Sequence, residues 1–314
     1  RGLGKSWKWL GIFWAVILGC AMVFAPAVQA NSVVEATRVS FDVPGWIVGV
    51  IFAVIMAVVL VGGIKSISSF AEKVVPLMAL AYVIGSIFIL VKFGSNIPHV
   101  FAMIFEYAFT PMAATGGFAG STVMLAIRWG LARGVYSNEA GTGMAPLAHS
   151  SSSANHPVKQ GLVQSLSVYI DTLLICTCSA MMVLVFYVQD PAAAANLNGM
   201  PLVQMAVNNS VGPMGIHFIT FAIFMFAYSS LIGNYFYAES NLRFIKGDSK
   251  ALLTVFRIVC LLVIFYGATN SFDLAWNLAD IFMGLMAIMN LIAILLLGKW
   301  ALAALDDYST QRKA

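Results

Sequence analysis

"RGVYSNEAGTGMAP", residues 133–146, places an arginine, a serine, an asparagine, a glutamate and three glycines in a row of otherwise apolar chain. Around it, 61% of the 314 residues are hydrophobic and 10% are charged, with a mean hydropathy of +0.89. A soluble domain carries about a quarter charged residues, so this composition belongs to an integral membrane protein. The formal net charge of +4 comes from basic residues scattered singly or in pairs, not from a basic stripe, which excludes a nucleic-acid partner. Cys20, Cys176, Cys178 and Cys260 sit in apolar runs without metal-ligand spacing and read as small packing residues.

Working outward, apolar stretches long enough to cross a bilayer lie near residues 7–28, 46–63, 74–93, 160–187, 215–238, 252–269 and 276–298. The quoted segment lies inside an eighth, about 119–152, expected to be a discontinuous span broken in its middle. With that count both termini share a side. Lys5, Lys8, Lys65, Lys73, Lys159, Arg243, Lys246, Lys250, Lys299, Arg312 and Lys313 fall there with Arg1, against Arg38 and Lys92 opposite, and the positive-inside rule makes that side cytoplasmic. Without the broken span the bias is lost. "NIPHVFAMIFEYAF", residues 96–109, is too short to span and reads as an outer interfacial helix. Asp190 to Gly215, rich in Ala, Asn, Gly and Pro, reads as an outer loop. The whole chain, 1–314, is one transmembrane domain.

Inside lipid every backbone polar group needs a partner, so unwound chain marks a cavity or a protein-lined site. Gly134 through Asn138 weaken the helix, and "EAGTGMAP" restarts a shorter one loosened by Gly141 and Gly143. Carbonyls freed at the end of the first half suit a cation, and amides opening the second suit a carboxylate, the arrangement of transporters with broken helices. The alternative is a kinked helix with a polar packing face. Arg133 and Glu139 are costly in a membrane and read as structural or gating groups, paired with each other or with a nearby carbonyl.

Three further signals accompany the break. In "FAYSSLIGNYFYAESN", residues 226–241, Ser229, Ser230 and the Phe226 carbonyl share one helical face and form half of an oxygen cage for Na⁺, or else small residues for close packing. Gln29 in "AVQANS" is either a pocket hydrogen-bonding group or a solvated helix end. Asp171 and Asp280 are intramembrane acids, Asp171 a candidate for a proton pathway and both candidates for hydrogen bonds between spans. His149, Ser150 and Glu139 crowd one half-helix, but spacing does not make them a triad, and the chain does not read as an enzyme.

These residues resemble the alanine or glycine:cation symporter family, whose pattern is R-x-x-F/Y-S-N-E-A-G-x-G-x-A/T-P. Similarity continues through "RGLG", "VQANS", "VPLMA", "PHVF", "HPVKQGLVQ", "IDTLLICTCSAMM", "FAYSSLIGNYFYAESNLRF" and "LADIFMGLMAIMNLIAILLL". The resemblance implies an all-α membrane protein with a LeuT-type inverted-repeat helical bundle. About eight transmembrane helices are present, the third to tenth of the core, with the sixth discontinuous. It implies a secondary active transporter, coupling a small neutral amino acid, alanine or glycine, to Na⁺ or sometimes H⁺ by alternating access in the bacterial cytoplasmic membrane, with no other cofactor. A receptor or channel of the same fold is the alternative. By matching position, Val135, Tyr136, Ser137 and Asn138 would contact substrate, Gln29 would line its pocket, and Phe226, Ser229 and Ser230 would hold Na⁺. The family's first two core helices, with a second glycine-rich break, have no counterpart in the sequence, so the chain alone is not expected to transport. Met144 and Thr142 depart from the motif, which points to a shifted pocket size.

Overall fold

The computed structural model describes residues 3–109, 119–139, 141–150, 152–247, 249–269 and 273–313. Among them every regular element is a helix. Six helices are long and apolar enough to cross a membrane: Lys5–Phe41, Glu72–Lys92, Pro157–Gln189, Pro213–Lys246, Lys250–Thr269 and Trp276–Arg312. The chain is therefore an all-α, multi-pass membrane protein.

Helix α1 (Lys8–Phe41) is the hub. It packs against α2 (Gly45–Lys92), α9 (Gly199–Val211), α10 (Pro213–Lys246), α11 (Lys250–Thr269) and α12 (Asp273–Lys313). Its small residues permit this. A Cβ on Gly267 would lie 2.6 Å from the Ala27 Cα, so α1 and α11 meet backbone to backbone, as membrane helices do where small residues face each other. Against α12 the large side chains interlock instead, with Phe24 stacked on Phe282 and Met22 buried with Met286.

Residues 45–92 form one hydrogen-bonded helix where two spans, 46–63 and 74–93, were expected. Its neighbours explain the difference. Phe52 packs on Phe224 (ring centroids 5.4 Å apart), and a Cβ on Gly85 would touch Phe218 at 3.2 Å. A straight helix would separate Phe52 from Gly85 by about 50 Å, whereas their partners on α10 are about 9 Å apart. The axis therefore folds back between the two arms, which run in opposite directions along α10: Ile55 meets Tyr228, while Lys92 reaches the Ser210 carbonyl in the last turn of α9, just before α10 begins. Pro76 removes one N–H from the ladder, but the backbone is helical on both sides of it, so the fold-back appears in the packing and not in the element list.

Two shorter helices occupy 190–211, the segment expected to be an outer loop: α8 (Pro191–Ala195) and α9. Pro191 opens α8 with the Asp190 side chain accepting from the Ala193 amide at 3.0 Å, a standard helix start in a polar sequence. Helix α9 is then held by Gln204, 0% exposed, whose amide donates to the Ala36 carbonyl (2.9 Å) and the Thr220 hydroxyl (2.8 Å). Helix α3 (Ile97–Phe109) forms where a short interfacial helix was expected. The long element Pro157–Gln189 comprises α6 (Pro157–Tyr169), a π-helical stretch Ile170–Cys176, and α7 (Thr177–Gln189).

The quoted segment breaks, but later and less evenly than expected. Helix α4 (Ala119–Asn138) continues through Gly134 to Asn138, which at 20 residues is about 30 Å, and only then does the helix stop. Glu139, Gly141 and Gly143 take positive φ (54°, 84° and 91°), and α5 (Ala145–His149) is a five-residue turn. The expected span of 119–152 is thus one full helix followed by an unwound strap.

Candidate functional site

The strap folds back into the bundle and forms the wall of a central cavity of about 160 Å³. Helix α1 contributes Ala21, Met22, Ala25 and Gln29, α4 and the strap give Tyr136, Ser137, Glu139 and Met144, α10 gives Ser230 and Asn234, and α12 gives Ala279 and Met283. Gln29, Tyr136, Ser137 and Ser230, singled out separately in the sequence, meet on this one surface. A water occupies about 30 Å³ of liquid, so the cavity has room for a molecule of a few heavy atoms and not for a drug-sized ligand. Two larger openings flank it. One, of about 1310 Å³, is lined by Glu35, Arg38, Asp42, Trp46, Met200 and Trp276. The other, of about 670 Å³, is lined by Lys5, Lys8, Trp14, Gly143, Phe244 and Asn290.

Thin layers separate the centre from each opening. Toward the first, Arg133 makes a two-pronged ion pair with Asp280 (Nη1–Oδ1 3.2 Å, Nη2–Oδ2 3.0 Å) while lying over the rings of Trp129, Tyr136 and Trp276. Trp276 packs on Tyr136, ring centroids 5.8 Å apart, so the aromatic pair closes the gap the ion pair spans. The expected partners of Arg133, Glu139 or a carbonyl, are thereby replaced by Asp280: a planar guanidinium matches a carboxylate fork better than one oxygen can. Toward the second opening, the Trp14 indole donates to the Thr142 carbonyl (2.9 Å) and the Asn290 amide to the Gly141 carbonyl (2.9 Å). Thr142 itself, 0% exposed, returns its hydroxyl to the Glu139 carbonyl at 2.8 Å. The Glu139, Gly141 and Thr142 carbonyls of the strap are thus taken by side chains from the strap itself, α12 and α1. Helix α5 is also too short to offer the amide-rich start expected to hold a carboxylate.

Residues of the predicted contact run divide. Tyr136 and Ser137 reach the cavity; Ser137 also donates to Asp171 Oδ2 (2.7 Å) and lies 3.1 Å from Cys176 Sγ. The Asn138 amide donates to the Thr172 hydroxyl at 2.8 Å. Both partners sit in the π-helical stretch, whose extra residue per turn turns them toward α4. Gly134 and the Val135 backbone remain helical, and the Val135 side chain lies outside the described residues. On α10, the Ser229 hydroxyl donates to the Phe226 carbonyl (2.9 Å) within an unbroken helix, whereas Ser230 faces the cavity. The hydroxyl of Tyr237 hydrogen-bonds Glu139. His149 binds Gln160 and Gln164, and Ser150 binds the Leu147 carbonyl, so these two and Glu139 do not converge. Of the cysteines, Cys178 and Cys260 are buried as expected, while Cys20 is exposed and Cys176 lies beside Ser137.

Sequence reading passed over Trp14, Thr172, Asn234, Tyr237 and Asn290. Asn234 and Tyr237 were within reach of it, since they follow Ser230 at helical spacing on the same face. The others depend on helix pairing that no local pattern reports.

A helical bundle with a small polar cavity at its centre and a layer closing each end has the build of a membrane carrier. Comparison with known proteins agrees: the profile of the sodium:alanine symporter family matches residues 1–314, and the chain belongs to that family. An uncharacterized transporter of Haemophilus influenzae is 41% identical over 95% of the chain and 62% of its own length. The amino-acid carrier protein AlsT of Bacillus subtilis is 36% identical over 100% of the chain and 65% of its own. The sodium/alanine symporter AgcS of Methanococcus maripaludis is 35% identical over 99% of the chain and 66% of its own. The chain thus spans less than two thirds of the length of these relatives, 62–66%.

Proposed function

We propose that the full-length protein is a Na⁺-coupled symporter of a small neutral amino acid, alanine or glycine, working by alternating access in a bacterial cytoplasmic membrane, with a LeuT-type arrangement of its core helices. The observation that carries this reading is the 160 Å³ cavity walled by the strap, Gln29 and Ser230, set between two larger openings. Its size fits a small zwitterion. Gln29, Tyr136 and Ser137 offer donors and acceptors to the charged ends, with Val135 and Asn138 supporting that wall, and the coupling cation is held near Ser230, while Ser229 and the Phe226 carbonyl, proposed from the sequence as its partners, bond each other one turn away. Family membership and the printed functions of the relatives support the same assignment.

In this reading the Arg133–Asp280–Trp276–Tyr136 layer is the outer closure and the Trp14–Thr142–Asn290 layer the inner one. Lys5 and Lys8 line the opening beyond the inner layer, as positive charge on the cytoplasmic side requires. The end of α4 from Arg133 and the strap after it, to Met144, take part in both layers, so one segment can exchange which side is open. Coupling is a linkage of binding free energies: each ligand strengthens the other's binding in the state that crosses over. Proteoliposomes holding the full-length protein should take up labelled alanine when a Na⁺ gradient is imposed. Uptake indifferent to every cation would reject symport, and alanine binding without uptake would favour a receptor.

A further inference from the structure

Among the described residues, Glu139 is the one carboxylate on the wall of the central cavity, and no lysine, arginine or histidine lines it. The basic side chains that could balance it are committed elsewhere. Arg133 is forked onto Asp280, and both Arg243 and Arg257 are drawn to Glu239. Among the described residues Glu139 has one side-chain partner, the Tyr237 hydroxyl, which donates a hydrogen bond but brings no charge. An ionised carboxylate at the membrane's interior without a counter-charge costs several kcal/mol, so Glu139 must either carry a proton or have a cation beside it.

The oxygen donors for one are in place. Ser230 and Asn234, one helical turn apart on α10, line the same cavity opposite the strap. Carboxylate, hydroxyl and amide oxygens form the hard donor set that alkali and alkaline-earth cations prefer. The strap's geometry favours this use of Glu139. Positive φ at Glu139 takes it out of the helix, and Thr142 fixes its carbonyl, leaving the side chain to face inward.

We propose that Glu139, Ser230 and Asn234 form a sodium site on the wall of the central cavity, with Glu139 supplying its negative charge. This rests on the symport reading and adds the charge-bearing ligand to it. Charge balance favours sodium over the ammonium group of the substrate. A zwitterion is neutral, so with Glu139 ionised it leaves the filled cavity at one net negative charge, whereas a sodium ion beside it brings the filled cavity to neutrality. The same balance explains coupling, because a charged, half-filled cavity is the state least able to close against a low-dielectric surround.

The test uses the full-length protein in proteoliposomes, with alanine uptake measured against Na⁺ concentration, and equilibrium binding of radiolabelled sodium to the purified protein. Glu139→Gln should raise the half-saturating Na⁺ by roughly tenfold or more, the size expected for losing a charged ligand. Glu139→Asp and Asn234→Ala should raise it by smaller factors. An unchanged Na⁺ dependence in a well-folded Glu139→Gln protein would overturn the proposal. Should that variant fail to fold, unchanged Na⁺ dependence in both Glu139→Asp and Asn234→Ala would overturn it equally. Wild-type uptake driven by a pH gradient without sodium, and lost in Glu139→Gln, would reject sodium as the occupant. No alanine uptake by the wild type would sink the symport reading itself; sodium binding that is lost in Glu139→Gln would then still support the site, and sodium binding retained there would reject it.

Discussion

Two glutamates of the bundle interior, Glu139 and Glu239, occupy opposite electrostatic situations although each is met by a tyrosine of α10. Glu239, 6% exposed, takes Arg243 Nη2 at 2.6 Å, Arg257 Nη2 at 3.8 Å and a hydrogen bond from Tyr235, which in turn accepts from Arg257 Nε at 2.8 Å. Glu139 has Tyr237 and no basic partner among the described residues. The first cluster is closed and tethers α10 to α11. The second is open and faces a cavity. In a membrane bundle, balanced charge holds helices together, and unbalanced charge is open to a ligand.

The largest expected effect lies on the balanced side. Glu239→Gln leaves two arginines facing each other's charge, and breaking a fully buried pair costs about 3–5 kcal/mol. Because the Arg243 and Arg257 side chains are 39% and 34% exposed, solvent softens this to about 2 kcal/mol. The melting temperature in detergent should fall while the half-saturating Na⁺ stays put; a shift in Na⁺ dependence with unchanged melting would erase the contrast between the two glutamates. Next comes Gly143→Ala. At φ 91°, with the new Cβ 2.9 Å from the Asn290 Cγ, it should cost about 1–3 kcal/mol and loosen the strap that carries Glu139. Thermal unfolding indistinguishable from wild type would show that the strap is not held there.

Smaller effects sharpen the open side. Ser230→Ala should raise the half-saturating Na⁺ several-fold, whereas Ser229→Ala, whose hydroxyl is already spent on the Phe226 carbonyl, should change it by less than about twofold. Equal effects would make the two hydroxyls equivalent ligands. Smallest of all, Trp14→Phe removes one hydrogen bond to the Thr142 carbonyl and should cost about 1 kcal/mol of stability, read as a shift of the thermal midpoint. A stabilised protein would mean that the indole strains the inner layer.

The class of fold was readable from composition and apolar run length alone, because lipid restricts a spanning chain to helices or barrels. The break was readable too, since three glycines around a glutamate cannot continue a membrane helix cheaply. Its position was not: Gly134 to Asn138 look weak by propensity, yet they stay helical, with Tyr136, Ser137 and Asn138 held by Trp276, Asp171 and Thr172, and the chain unwinds only where positive φ begins at Glu139. The region from Asp190 to Gly215 looked like a loop because it is rich in Ala, Asn, Gly and Pro, but Gln204 finds partners on α1 and α10 that make a helix worth forming. Arg133 and Asp280 lie 147 positions apart, and nothing local tells either that the other is near. What one sequence conveys is which residues are too costly to be accidental; which of them neutralise one another is decided by the pairing of helices.

The proposed seat of the amino acid is the small cavity beside the strap. Ala25 lines it from α1, across from Tyr136 and Glu139. In the full-length protein with its native cysteines replaced, Ala25→Cys should be alkylated by a small membrane-permeant thiol reagent, and alanine together with Na⁺ should slow that reaction while either alone does so weakly. Alkylation at one unchanging rate, in a protein that still accumulates alanine, would contradict the account and move the substrate elsewhere in the bundle.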